Sequence, residues 1–190
     1  IDPIAGKGLA GPVGKCVEEG SSIIDIGSGT GSLVLALAPR CRRAVGVDLS
    51  SKMVRYAAKR LASRAKLSQA EFFHVDGAGM AERFQETFDY AIITQVLHEV
   101  RPEVRAKIIA EARKIARMAI IVDFAAPFPR KLFSRFIRLG ELSAGKEHNK
   151  NFREWYDAGG IDGFVRREGL TVQAERLLKP GVVKIVKATF

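Results

Sequence analysis

Three carboxylates and a run of glycines carry the strongest chemical signal in the chain. Residues 23–32 read Ile-Ile-Asp-Ile-Gly-Ser-Gly-Thr-Gly-Ser: an apolar, strand-like run, then alternate glycines, then a helix-forming stretch. Glycine lets the backbone turn sharply and lets a ligand approach main-chain N–H groups closely. The helix that follows would offer its N-terminus to an anionic group. Asp48 follows Val45-Gly46-Val47 about twenty residues further on, where a carboxylate can accept both hydroxyls of a ribose. Asp76 follows the run Phe72–Val75 and can accept from an exocyclic amine such as that of adenine. These groups describe a nucleoside site that needs no pyrophosphate. The dinucleotide fingerprint GxGxxG is not met, because the glycines fall at 27, 29 and 31 and Ser32 takes the third position. No Gly-Lys-Ser/Thr follows the loop, which excludes a P-loop.

A second group of side chains lies further along. His98, in Leu97-His98-Glu99, is the best candidate for a general base, since an imidazole titrates near ~6.5. Its structural alternative is to cap or pack the next turn. Asp123 follows the run Met118–Val122 and either faces an acceptor or bonds to the loop beyond it. His148, in the polar run Lys146–Lys150, either caps a helix or touches an acceptor. Tyr156 and Trp155 either pack or line a pocket, His74 reads as structural, and Glu99 as a solvated charge. No His or carboxylate cluster has metal-ligand spacing. Cys16 and Cys41 form no CxxC and no disulfide framework.

The elements that must hold these groups follow from the pattern. Five strand-like runs (22–26, 44–47, 72–75, 88–94 and 118–122) are joined by crossovers, three of which read as helices (31–38, 50–66 and 102–117). Parallel strands need such crossovers, so the pattern predicts a parallel α/β sheet. The link between the third and fourth runs has room only for a very short helix. Asn151–Ala158 and Ile161–Glu168 read as two short helices split by Gly159-Gly160, with Gly169 closing the second. Thr171–Leu178 and Val182–Thr189 flank Lys179-Pro180-Gly181 and read as an antiparallel hairpin.

The chain of 190 residues suits one domain, and 47% hydrophobic with 27% charged residues is a globular balance. The formal net charge of +10 raises nucleic acid or an anionic membrane as partners. Yet residues 1–100 carry 12 basic and 11 acidic side chains, while residues 130–190 carry 13 and 7. Residues 128–139, FPRKLFSRFIRL, set Leu132, Phe133, Phe136 and Ile137 on one helical stripe, with Arg130, Lys131, Arg135 and Arg138 mostly away from it. This stretch reads either as a lid over a pocket or as a peripheral membrane contact. No apolar run approaches the ~20 residues of a membrane span. No signal peptide is visible, so a cytoplasmic location is the default, although a chain that starts at Ile1 leaves any targeting segment unread.

The sequence resembles the class I S-adenosylmethionine-dependent methyltransferases over roughly residues 20–190. The likeness rests on Asp25-Ile26-Gly27-Ser28-Gly29-Thr30-Gly31, Val45-Gly46-Val47-Asp48-Leu49-Ser50, His74-Val75-Asp76-Gly77-Ala78 and Phe88-Asp89-Tyr90-Ala91-Ile92-Ile93-Thr94, and on the final hairpin. Within that family it looks most like small-molecule enzymes of the quinone-biosynthesis type. The resemblance implies a Rossmann-like α/β fold: a seven-stranded mixed sheet in the order 3-2-1-4-5-7-6, strand 7 antiparallel, with helices on both faces. It implies a single domain over 1–190, with 126–168 as a helical insertion covering the acceptor.

Roles follow position by position. Gly27, Ser28, Gly29, Thr30 and Gly31 would run along the methionine part and ribose of S-adenosylmethionine, and Asp25 would face its amino group. Asp48 would bind the ribose, Leu49 would pack on the adenine, and Asp76 would read its amine with Gly77 and Ala78 beside it. Thr94 and Gln95 would stand near the reacting methyl group. His98, Asp123, His148 and Tyr156 would meet the acceptor, with His98 as base if the acceptor must lose a proton. Thr94-Gln95-Val96-Leu97 is not the Asn/Asp-Pro-Pro-Tyr sequence of many amino-methylating nucleic-acid enzymes, and no cysteine lies near the expected acceptor site. The expected acceptor is therefore small or amphiphilic and lipid-like, with nucleic acid disfavoured. An RNA methyltransferase and a non-catalytic S-adenosylmethionine-binding protein are the alternatives, followed by an NAD-dependent oxidoreductase.

Overall fold

The computed structural model describes residues 8–64, 66–127, 145–178 and 181–190, leaving out the side chains of 145, 146 and 148. The stretch 128–139 lies outside these residues.

The chain opens with a short helix, α1 (Ala10–Gly14). Strand β1 (Ser22–Ile26) is buried along its whole length, as a central parallel strand must be when both faces are covered. Helix α2 (Ser32–Leu37) follows and buries Leu33, Val34, Leu35 and Leu37. β2 (Arg43–Asp48) leads to α3 (Ser51–Ala62), capped at its start by Ser50, whose Oγ accepts from the Met53 N–H at 3.4 Å. Next come β3 (Ala70–His74), β4 (Phe88–Thr94), α4 (Pro102–Ile115) and β5 (Ala116–Phe124). Helices α5 (Gly145–Asp157) and α6 (Gly160–Arg167) precede the hairpin of β6 (Thr171–Leu178) and β7 (Val183–Thr189).

The sheet has seven strands in the order β3-β2-β1-β4-β5-β7-β6, with helices packed around it. β1 pairs in parallel with β2 and β4, β2 with β3, and β4 with β5, whereas β7 runs antiparallel to both β5 and β6. Ile23, Ile24, Ile92, Ile93, Ile120 and Ile121 are wholly buried along its centre. Each such side chain contributes about 1.5–3 kcal/mol on removal from water. The strand order reverses between β1 and β4, so a crevice opens beyond their carboxyl ends. At the far edge every residue of β6 from Thr171 to Leu177 is exposed. That edge carries a bulge between Val172 and Ala174 and the charges of Glu175 and Arg176, which discourage pairing with another chain.

Element boundaries differ from expectation in physical detail. The helix after the glycine loop ends at Leu37 and tightens into a 3₁₀ turn over Ala38–Arg40 that accommodates Pro39. α3 stops at Ala62 rather than near residue 66, where the Ser63 hydroxyl donates to the Arg60 carbonyl at 2.8 Å. The link before β4 holds two 3₁₀ turns, Gly77–Gly79 and Ala81–Arg83. α5 starts at Gly145, six residues before the expected start. α6 ends as expected on Gly169 in the left-handed region, with Leu170 N–H bonded to Val165 and Gly169 N–H to Arg166.

Candidate functional site

The glycine loop is built by backbone conformations that other residues resist. Gly27, Gly29 and Gly31 all lie in the left-handed region, at φ 77°, 52° and 71°. A Cβ on Gly27 would stand 2.4 Å from Val96 Cγ2, and one on Gly31 would stand 2.5 Å from Phe72 Cζ. Nothing lies within 4 Å of the same position on Gly29, so the loop is tight at both ends and open in the middle. Gly27 and Ser28 donate their N–H groups to the Val47 carbonyl at 2.9 and 3.0 Å. Asp48 closes the arrangement: Oδ2 accepts from Gly29 N–H at 2.7 Å and Oδ1 from Ser50 N–H at 2.8 Å. One carboxylate thus fixes both the loop and the start of α3.

Beside the loop, buried polar atoms gather without partners. Asp25 is 2% exposed, and its Oδ1 has no hydrogen-bond partner among the described residues. Burial, with a smaller contribution from the Asp48 charge, pushes its pKa up to about 7. Ser28 Oγ, Thr94 Oγ1 and both amide atoms of Gln95 are in the same condition, and Gln95 sits at φ 57°. Each unpaired buried group costs roughly 1–3 kcal/mol. The other two such atoms, Arg40 Nε and Arg43 Nη1, lie within ion-pair distance of Glu19 and Glu86. Among the described residues the truly orphaned set is therefore confined to the carboxyl ends of β1 and β4, where the resemblance places the cofactor's polar atoms.

Further out, Asp76 Oδ1 accepts from Ala78 N–H at 2.9 Å and turns the chain into Gly77–Gly79. A Cβ on Gly77 would stand 2.8 Å from Ile26 Cγ2, so this turn closes directly over the end of β1. Leu49 is 68% exposed, the most open of the large apolar side chains described. His74 Nε2 donates to the Leu49 carbonyl at 2.8 Å, which ties the end of β3 to the residue that follows β2.

On the other side of β1, Asp123 and His98 form a buried pair. Asp123 is wholly buried at the end of β5, and its Oδ1 lies 2.7 Å from His98 Nδ1 and accepts from Phe124 N–H at 2.7 Å. Its Oδ2 accepts from the N–H groups of Leu97 and His98 at 3.1 and 3.3 Å. Asp123 thus stands behind His98 rather than on an open wall, bonded to the turn beyond β4. A carboxylate at Nδ1 selects the Nδ1–H tautomer and leaves Nε2 as the basic nitrogen. His98 is 4% exposed and meets Phe124 and Phe152 edge to face, at ring distances of 4.7 and 5.9 Å. Glu99 Oε1 is 3.9 Å from His98 Nε2, within ion-pair distance, on a side chain about half exposed. Trp155 is wholly buried and donates from Nε1 to the Phe124 carbonyl at 2.9 Å, while Tyr156 is partly buried against the core. His148 lies in α5, and its side chain is outside the described ones. Arg105 and Asn151 reach this site unforeseen. A cation at 105, on the same stripe as Ile108, Ile109 and Ala112, was the available signal.

Among the described residues no group of His, Cys, Asp or Glu is placed to hold a metal ion, and no helix is long and apolar enough to cross a membrane. A separate hollow of about 350 Å³ lies at the opposite edge of the sheet, among Glu18, Ser21, Arg42, Asp89, Tyr90 and Arg117. It adjoins the amino ends of β1, β4 and β5, far from the glycine loop.

The fold is that of several solved structures. A protein of Pyrococcus horikoshii matches with a TM-score of 0.76 at 19% identity, over 100% of this chain and 96% of that one. Magnesium protoporphyrin IX methyltransferase from Synechocystis, solved with bound S-adenosylhomocysteine, matches with a TM-score of 0.69 at 20% identity, over 95% and 79%. The N-methyltransferase NodS from Bradyrhizobium japonicum, also with S-adenosylhomocysteine, matches with a TM-score of 0.70 at 13% identity, over 95% and 83%. No curated protein matches the chain by sequence. The model of the methyltransferase domain family matches residues 23–118, the span from the second residue of β1 into β5. With that match over half its length, the chain belongs to the methyltransferase domain family, and S-adenosylmethionine is its methyl donor.

Proposed function

We propose that the protein methylates a small or amphiphilic organic acceptor, with His98 as the base where the acceptor must lose a proton. One observation carries this reading. Orphaned polar atoms on Asp25, Ser28, Thr94 and Gln95 gather at the carboxyl ends of β1 and β4, and the Asp123–His98 pair lies beyond them at the ends of β4 and β5. Asp25 would take the cofactor's amino group, Asp48 the ribose hydroxyls, Leu49 the adenine face and Asp76 the adenine amine. Gly27, Gly29, Gly31, Thr30, Gly77 and Ala78 would line the path between them. Bound there, S-adenosylmethionine supplies an electrophilic methyl carbon on a sulfonium sulfur. The chain aligns the acceptor and excludes water. Asp123 holds His98 in the Nδ1–H tautomer, and Nε2 takes the proton of an acceptor O–H or N–H. Residues 126–168, including Tyr156 and His148, would cover the acceptor.

Membership of the quinone-biosynthesis-like branch, a lipid-like acceptor and peripheral membrane contact through 128–139 belong to the same proposal, within a single-domain cytoplasmic protein. A neighbour of the same fold named for magnesium protoporphyrin IX supports a bulky, amphiphilic acceptor class. A screen of metabolite fractions with S-adenosylmethionine carrying a labelled methyl group tests the reading. Transfer of label into an organic-soluble product is expected, with His98→Gln at least about tenfold slower. Label found only in RNA would instead support the RNA methyltransferase reading that the net charge of +10 motivates.

A further inference from the structure

We propose that Arg105 is a positioning residue for the acceptor side: its buried guanidinium fixes the turn that carries His98 and docks α5 onto that turn. The inference rests on the reading of His98 as the base. Arg105 is 2% exposed and occupies the apolar face of α4, in line with Ile108, Ile109 and Ala112. Taking a cation out of water costs several kcal/mol unless strong partners replace the water. Among the described residues no carboxylate pairs with it directly. Its donors go to main-chain carbonyls: Nε to Leu97 and Val100 at 2.7 and 2.9 Å, and Nη2 to Asn151 at 3.0 Å. Its flat face lies over Trp155 at 5.3 Å. Asn151 answers by donating from Nδ2 to the Glu99 carbonyl at 2.7 Å.

These bonds converge on four residues. The N–H groups of Leu97 and His98 go to Asp123 on β5, the carbonyls of Leu97 and Val100 to Arg105 on α4, and that of Glu99 to Asn151 on α5. Leu97 is therefore held between a buried anion on its amide side and a buried cation on its carbonyl side. The side chain of this turn that the proposed function assigns to proton transfer is His98. A planar fork is what the arrangement uses, since three carbonyls from two elements are reached at once; a lysine ammonium offers a single point and cannot span them.

Imidazole nitrogen spectra of the ¹⁵N-histidine-labelled protein, with amide exchange rates and S-adenosylhomocysteine affinity, test the inference. In the wild type, His98, assigned by its loss in His98→Gln, should show one Nδ1–H tautomer. Arg105→Met should lose that single-tautomer signature. It should also speed exchange at Leu97 and His98 by at least about tenfold, yet keep S-adenosylhomocysteine affinity within about twofold. Arg105→Lys should not restore the signature. Should Arg105→Met fail to fold, Arg105→Gln keeps donors without the charge and is read the same way. A variant that melts earlier but keeps the His98 ring signals and local exchange unchanged would overturn the proposal and leave Arg105 a structural cation. Full methyl transfer by His98→Gln would instead remove the base reading, and with it the catalytic meaning of the clamp, while the ring signature in Arg105→Met stood.

Discussion

Asp25 couples the cofactor side of the site to pH. Its carboxyl is held neutral by burial and by the Asp48 charge until about pH 7, so the free protein prefers the protonated form. The sign follows: a carboxyl whose pKa is raised on folding contributes stability that is complete below its ordinary value near ~4 and is lost as pH rises through about 7. A cofactor ammonium facing Asp25 would favour the ionised form. Affinity for S-adenosylhomocysteine should therefore tighten from pH 5.5 to 7.5 by up to about tenfold per unit, and Asp25→Asn should flatten the profile in calorimetric titrations. Asp48→Ala removes the acceptor of the Gly29 and Ser50 amides as well as the ribose contact proposed for it. A loss of about 1.5–3 kcal/mol in S-adenosylhomocysteine binding is expected by the same titration, the size of a hydrogen-bonded charge. Asp25 and Asp48 stood out in the sequence because Asp25 precedes the glycine loop and Asp48 ends the next apolar run about twenty residues on. Arg105 was not, because a helix cation reads as a surface charge until its neighbours on the apolar stripe are seen to be buried.

Elements hold these residues through a few contacts that mutation can probe. Gly27→Ala would place a methyl group against Val96 at a left-handed φ of 77°. It should cost about 1–3 kcal/mol in urea unfolding and abolish S-adenosylhomocysteine binding. Trp155→Ala would empty a fully buried site and remove the hydrogen bond to the Phe124 carbonyl, so α5 should loosen from β5 at a cost of about 3–5 kcal/mol. The strands were readable because parallel, twice-covered strands are continuous apolar runs between glycine and aspartate. α5 was half hidden, since Asn149 and Asn151 stand at buried positions of a helix whose other anchors are Phe152 and Trp155. Asparagines there break the apolar period that would have marked its first two turns. α1 was missed for the opposite reason: Ala10-Gly11-Pro12-Val13-Gly14 has the composition of a loop, and burial of Leu9, Val13 and Val17 holds it.

The charge of the whole molecule looks different once folded. The cofactor half is nearly neutral in sum, yet the outward side of α3 presents Lys52, Arg55 and Lys59 with no acidic residue in the helix. A local basic face therefore stands in the half whose sum is near zero, while the net excess lies in the later part of the chain. Because the residues proposed to hold the cofactor cluster at the ends of β1, β2 and β4 at the centre of the sheet, binding should stabilise the domain globally. At about 100 times Kd, S-adenosylhomocysteine should add about 2.7 kcal/mol, seen as a rise in Tm of roughly 5–10 °C for a chain of this size in a thermal scan.

The place of β7 bears on how the chain is made. β6 has one strand neighbour, β7, which follows it in the chain and also pairs with β5. As the polypeptide leaves the ribosome, the parallel core from β1 to β5 can assemble in order of synthesis. β6 cannot join it: it must wait, unpaired and open to other nascent chains, until the strand translated after it slides in between. Sheet closure at this edge therefore runs against the direction of translation, since the strand made later fills the gap between β5 and β6, and the bulge and charges on β6 guard the edge that is left.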